Sequence, residues 1–197
     1  VDATYVYVVD GDGTVYFERG ADTQTHIASV TKIMTAIIAL ENSQLTDQVT
    51  VSAEAASIGE SSASLKEGDV LSTEDAIKAL LTSSGNDAAI AIADTVGAKL
   101  GGAGGAQAAF VAAMNAKAAS LGCVNTLFAN PHGLDFDKYA GDMHSTARDV
   151  ATMSAYAMKN QTFRDIVSKD KATISVTRAG VQTPLELEST DELIGVY

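Results

Sequence analysis

The sequence predicts a mixed α/β (α+β) fold in which an inserted helical lobe separates strands at the two ends of the chain. Three observations carry this expectation. Residues 3 to 9 and 14 to 18 are rich in Val, Tyr and Phe around "DGDG", the middle of the chain is alanine-rich with helical spacing, and from Ala172 the pattern turns strand-like again. The ends are therefore expected to share one sheet.

Taken in order, Asp and Gly of "DGDG" suit the left-handed positions of a tight hairpin turn, which also accounts for Asp10 and Asp12 without a calcium loop. The loop "GADTQTHIA" leads to a helix from about Ser29, where Ser and Thr can accept free backbone N–H groups. Its apolar positions Ile33, Ile37, Ile38 and Leu40, with Met34 and Ala36, cover nearly the whole circumference, so the helix is buried on most sides. Ser72 and Asp75 make a capping-box-like start for "TEDAIKALLTSS", and "NDAAIAIADTVGAKL" follows a break at Gly85. "GGAGGAQ" reads as a loop before "AAFVAAMNAKAASLG", which ends at Gly122. "NPHGLD" is a turn, "HSTARDVATMSAYAMKN" a capped helix and "FRDIVS" a short one. "ATISVT", the turn "RAG" and "PLELEST" close the chain as strands. The organisation is a single domain over 1–197 with the helical lobe at about 45–160.

Composition narrows the function. A chain of 197 residues with net charge −12 and no basic run interleaved with aromatics is a poor match for nucleic acid. The acid excess, spread singly as in "EGD" and "TED", reads as solvated surface. No apolar stretch is long enough to span a bilayer, and the chain opens directly on strand-like "ATYVYVVD", as a cytoplasmic or a processed mature protein would. Cys123 is the single cysteine and reads as a buried, inert thiol. His26, His132 and His144 lack ligand spacing, so no metal is expected; His132 is read as a loop residue shaping the site and His144 as a cap or surface group. Arg148 and Asp149 read as surface or helix-lobe pairing.

The chemistry centres on "HIASVTKIMTAIIALE". Ser29 and Lys32, at i and i+3, lie on one helix face about a turn apart, so Lys32 Nζ can reach Ser29 Oγ. A serine hydroxyl needs a base to take its proton, an amine serves only when neutral, and burial favours the neutral form. The apolar run supplies that burial, and the helix N-terminus adds N–H groups for an oxyanion. The same spacing recurs at Ser168 and Lys171 in charged, solvated "SKDK", so spacing alone decides nothing. A second signal is Ser84-Gly85-Asn86, the one Ser-x-Asn triplet in the chain, placed between two helices. Its hydroxyl could relay a proton and its carboxamide could hold Lys32 and a substrate amide; helix capping is the plainer alternative.

Together, "ASVTKIMTA", "LLTSSGNDAA", "NPHGLD" and "HSTARDVA", in that order and over almost the entire chain, closely resemble the low-molecular-weight penicillin-binding proteins, the serine D-alanyl-D-alanine carboxypeptidases. The resemblance implies the penicillin-binding/β-lactamase-like fold, an antiparallel sheet flanked by helices. It also implies Ser29 as the acylated nucleophile, Lys32 as general base, Ser84 in proton transfer and Asn86 in binding Lys32 and the substrate amide. The implied substrate is the peptidoglycan stem peptide, from which the terminal D-Ala is released; β-lactam antibiotics acylate the same serine, and no cofactor is needed. That substrate places the protein outside the cytoplasmic membrane, with a membrane anchor through a C-terminal region beyond this chain. No Lys-Thr-Gly occurs in the sequence, and in relatives a segment like "ESTDELIGVY" comes just before it. The expectation is a chain that stops before this third motif and the last sheet strands, a two-strand sheet remnant with a raw edge, and a separate or missing segment that completes the site. A class A-like β-lactamase, which would need Asp where Gly85 stands, a D,D-endopeptidase and a non-catalytic peptidoglycan-binding module are the alternatives.

Overall fold

The computed structural model describes residues 2–194. Strands β1 (Val6–Val9) and β2 (Val15–Arg19) form an antiparallel hairpin. Asp10 closes its turn: Oδ1 accepts from Asp12 N at 3.0 Å and Thr14 N at 2.8 Å, and Oδ2 accepts from Tyr16 Oη at 3.0 Å. This is the turn role expected of the aspartates. A 3-10 turn, Ala28–Thr31, runs directly into α1 (Lys32–Asn42). Then come β3 (Gln48–Thr50), α2 (Ala53–Ser57), β4 (Val70–Ser72), α3 (Thr73–Thr82), α4 (Asn86–Leu100) and α5 (Ala106–Ser120). The chain closes with α6 (Ala147–Ala157), α7 (Gln161–Val167), β5 (Lys171–Arg178) and β6 (Val181–Glu188).

The expected punctuation is largely met. Ser72 Oγ caps α3 by accepting from Asp75 N, Thr146 Oγ1 caps α6 from Asp149 N, and Gly122, at φ +79°, ends α5 as Cys123 N donates back to Ala118 O. The central helix is α4, whose residues from Ala88 to Ala93 are fully buried. Its small side chains let other helices come close. At Gly97 a Cβ would stand 2.0 Å from Ala106 O, so only glycine allows α5 to start there. Met34, Ala36, Ile38 and Ala39 of α1 join the same core, as the near-continuous apolar circumference requires.

Three expectations need correction. The ends of the chain do not share a sheet: β1 and β2 pair alone, while β5 and β6 extend β3 and β4 in the order β3-β4-β5-β6. The reason lies in β4, whose Val70 pairs with Thr177 and whose neighbour Asp69 binds Arg178 of β5. Three-residue strands such as β3 and β4 are too short to show a period in sequence. Second, the acidic residues are not all solvated surface, since Asp69, Asp87 and Asp149 are buried. Third, Arg148 and Asp149 do not pair: Arg148 binds Asp22 and Glu18, whereas Asp149 accepts from Asn125 N and Thr126 Oγ1 inside the lobe. β1 and β2 make a two-stranded sheet of their own, and every residue of β2 is exposed.

Candidate active site

Ser29 sits exposed in the 3-10 turn, and Lys32, one turn later, is 2 % exposed. Lys32 Nζ lies 2.9 Å from Ser29 Oγ, the contact the spacing predicts. The expected helix cap is not made: neither the 3-10 turn nor α1 receives a side-chain bond at its N-terminus. Ser29 Oγ is engaged by Lys32 instead, and Thr31 Oγ1 is buried without a hydrogen-bond partner among the described residues.

A second anchor for the lysine comes from the "NPHGLD" turn. Lys32 Nζ donates to His132 O at 2.8 Å, and next along α1 Thr35 Oγ1 donates to Pro131 O at 2.6 Å. Asn130 shapes this turn, its Oδ1 accepting from His132 N and Gly133 N and its Nδ2 donating to Leu134 O. Gly133 has φ +95°, and a Cβ there would stand 1.9 Å from Ala28 O. The turn is thus pressed onto the backbone one residue before Ser29. The His132 ring is buried, accepts from Leu134 N at Nδ1 and meets Tyr139 edge-on at 4.5 Å. Burial, together with Lys32 and Lys138, holds the ring neutral, with its pKa lowered to about 3. So His132 shapes the site, as expected, and its main-chain oxygen also holds Lys32, which its side-chain type could not signal.

Burial lowers the Lys32 pKa to about 8, and the negative charge of Asp87 opposes that shift without cancelling it. Lys32 Nζ donates to both Ser29 Oγ and His132 O, and its lowered pKa brings the neutral amine within reach near neutral pH.

Ser84 lies with Ser29 and Lys32 in the wall of one cavity of about 420 Å³, otherwise mainly apolar through Ile33, Leu80 and Phe163. Ser84 holds φ +55°, an unfavourable backbone for a residue with a Cβ, and such strain concentrates at functional positions. Neither Ser84 nor Asn86 caps α4; Gly85 is its N-cap, with no side-chain bond. The plainer capping alternative therefore fails. Asn86 is 1 % exposed, its Nδ2 donates to Gly59 O at 3.2 Å, and its Oδ1 is buried with no partner among the described residues. Lys32 Nζ is bonded to Ser29 and His132, so the expected Lys32–Asn86 bond is not formed. Ser189, Thr190 and Asp191 of "ESTDELIGVY" line the same cavity, while the last three residues of that stretch lie outside the described residues.

Elsewhere, Cys123 is buried and its thiol is pushed up to about 11 by burial and by Asp149, consistent with an inert role. Ser168 and Lys171 are exposed, and Lys171 pairs with Glu188. His144 is neither a cap nor fully at the surface: its backbone bridges Leu127, and its Nδ1 lies 2.9 Å from Asp142 Oδ1. Among the described residues no helix is long and apolar enough to cross a membrane.

A serine contacted by a buried, pKa-lowered lysine at i+3, on a mixed α/β frame, is the arrangement of lysine-assisted active-site-serine acyl-transfer enzymes. Comparison with known proteins narrows this class: the D-alanyl-D-alanine carboxypeptidase family matches residues 1–194, and the chain belongs to it. The D-alanyl-D-alanine carboxypeptidase DacC of Escherichia coli is 39% identical over 165 residues, covering 78% of this chain and 38% of that protein. A D-alanyl-D-alanine carboxypeptidase of a Streptomyces species is 33% identical over 201 residues, covering 95% of this chain and 66% of that protein. The crystal structure of a Streptomyces DD-transpeptidase superposes with a TM-score of 0.88 at 31% identity, covering 98% of this chain and 74% of that one. A D-alanyl-D-alanine carboxypeptidase structure from Mycobacterium tuberculosis gives 0.83 at 31% identity, with 99% and 69% covered. The fold is therefore that of the DD-peptidases, and this chain spans less than two thirds of the length of the two curated relatives.

Proposed function

We propose that this chain carries the acylation centre of a serine D-alanyl-D-alanine carboxypeptidase. The observation that supports this best is the 2.9 Å contact between Ser29 Oγ and a lysine whose burial brings its pKa to about 8. Ser29 Oγ attacks the carbonyl carbon between the last two D-alanines of a peptidoglycan stem peptide and passes its proton to Lys32 Nζ. Lys32 then hands that proton to Ser84 Oγ as Ser84 gives its own to the leaving amine, so the C–N bond breaks, D-Ala departs as the neutral amine and both side chains return to their starting protonation. Asn86 Oδ1, buried and unbonded, is suited to accept from the substrate amide N–H. Water then hydrolyses the ester, and β-lactams stop at the acylated serine.

The same reading makes 1–197 one transpeptidase-like catalytic domain, with a Lys-Thr-Gly segment from outside this sequence completing the carboxylate pocket. It also places the protein outside the cytoplasmic membrane, where its substrate is. A D-alanyl-D-alanine endopeptidase of Pseudomonas aeruginosa is among the relatives, 34% identical over 143 residues, but the family and the two curated relatives described above carry the carboxypeptidase name. The test is intact-mass and turnover analysis of the full-length natural protein. Labelled penicillin should add one acyl group, lost in Ser29→Ala, and a stem pentapeptide should release D-Ala. Acylation that persists in Ser29→Ala, or stem-peptide binding without D-Ala release, would overturn the reading.

A further inference from the structure

Asp87 follows Ser84-Gly85-Asn86 directly, and its carboxylate is 1 % exposed. Its partners lie in the irregular segment between α2 and β4. Oδ2 accepts from Ser62 Oγ at 2.6 Å and Leu65 N at 3.1 Å, while Ala63 N stands 3.1 and 3.0 Å from the two oxygens. Oδ1 also accepts from Ala88 N at 2.8 Å. All these donors are neutral. The same segment meets Asn86: Asn86 N donates to Ser61 O at 2.8 Å, and its Nδ2 reaches Gly59 O. Residues 59 to 65 are thus fastened along one side to Asn86 and along the other to Asp87. Glu60 and Ser64 pay for this with positive φ, +57° and +62°.

The middle residue of the triplet is explained by the same carboxylate. A Cβ on Gly85 would stand 2.6 Å from Asp87 Oδ1 and 3.0 Å from Ala79 O. Asp87 therefore occupies the space in which any side chain at position 85 would lie, and it does so between the two residues assigned to proton transfer and amide binding.

We propose that Asp87 is a positioning residue for acylation, orienting Asn86 by pinning residues 59 to 65 against it. The proposal rests on the reading of Ser29 as the acylated nucleophile. The charge of Asp87 supplies a signature that packing alone lacks, because it opposes the loss of Lys32's proton. Other titratable groups around the site are the neutral His132 ring, Lys138 acting on that ring, and Lys169 and Asp191 in the cavity wall.

The test measures the rate of penicillin acylation against pH for the full-length protein and for Asp87→Asn and Ser62→Ala, with folding checked by thermal unfolding. Wild-type labelling that is lost in Ser29→Ala secures the underlying reading; its absence refutes that reading rather than this one. For Asp87→Asn the high-pH plateau should fall about 10- to 100-fold through misplacement of Asn86. Its midpoint should move down as Lys32 loses the negative charge that opposes its deprotonation. Ser62→Ala, which keeps that charge, should lower the plateau by about threefold and leave the midpoint in place. Ser62→Ala at the wild-type plateau overturns the positioning role whether or not Asp87→Asn folds, as does a folded Asp87→Asn with the wild-type profile.

Discussion

Lys32 Nζ donates a 2.8 Å hydrogen bond to the carbonyl oxygen of His132, 100 residues further along the chain. The bond fixes the amine beside Ser29, so under the proposed mechanism the protonation state of Lys32 should govern acylation. Because the base must be neutral, the acylation rate should rise as pH increases through about 8, the lowered pKa of Lys32, and level off above it. Lys32→Arg, which stays charged, should lose about a thousandfold at every pH. Stopped-flow acylation by a fluorescent penicillin reads both, and a flat profile between pH 6 and about 9 would exclude Lys32 as the base.

Gly133→Ala should damage stability and activity together. The new Cβ would overlap Ala28 O, one residue before Ser29, at a backbone φ of +95°. A cost of about 3 kcal/mol in thermal or urea unfolding is expected, with slower acylation in the fraction that folds.

Arg178 holds Asp69, whose side chain is 1 % exposed, through bonds of 2.9 and 2.6 Å. Arg178→Ala leaves a buried carboxylate without its counter-charge and should cost about 3 kcal/mol at neutral pH. Asp69 opposes its own burial penalty through bonds from Arg178 and Lys66 N, and its pKa lies below the usual carboxylate value. Its stabilising contribution is therefore complete above the unfolded-state pKa near 4 and is lost as pH falls through the folded-state value. The variant should lose less stability than wild type on acidification from about pH 5 to about pH 2. Equal acid dependence in the two proteins would count against the pair.

Cys123 is 2 % exposed, with its thiol pKa raised to about 11. Iodoacetamide at pH 8 should leave the native protein unmodified and alkylate it once in denaturant, as read by mass. Rapid native alkylation would contradict the burial.

The second Ser-x-x-Lys pair is an internal control. Ser168 and Lys171 are exposed, and Lys171 is paired with Glu188. Ser168→Ala and Lys171→Ala should each leave penicillin labelling within about twofold of wild type and shift stability by less than about 0.5 kcal/mol. Loss of labelling in either would redirect attention from Ser29.

The local elements were legible because local chemistry makes them. The "DGDG" turn, the Ser72 and Thr146 caps, the Gly122 stop and the buried face of α1 each depend on residues a few positions apart. Ser29 and Lys32 were legible for the same reason, since one helical turn sets their distance. Partners far apart in sequence left no such mark. Nothing in "EGD" says that Asp69 is buried under Arg178, and nothing in "SSGNDAA" says that Asp87 fills the space over Gly85. The three-residue strands β3 and β4 carry no period of their own, and neither does the sheet through which they draw β5 and β6 away from the N-terminal hairpin.

By itself, then, the sequence determined the helices, the turns and the contact between Ser29 and Lys32, because spacing, capping and apolar periodicity act over one or two turns. Only the tertiary structure decided which carbonyl holds Lys32, that Asn86 Oδ1 has no partner among the described residues rather than binding Lys32, and which strands share a sheet. These depend on where long-range packing seals groups away from water. There an unpaired charge or donor is costly, and the fold supplies its partner from wherever the chain happens to pass.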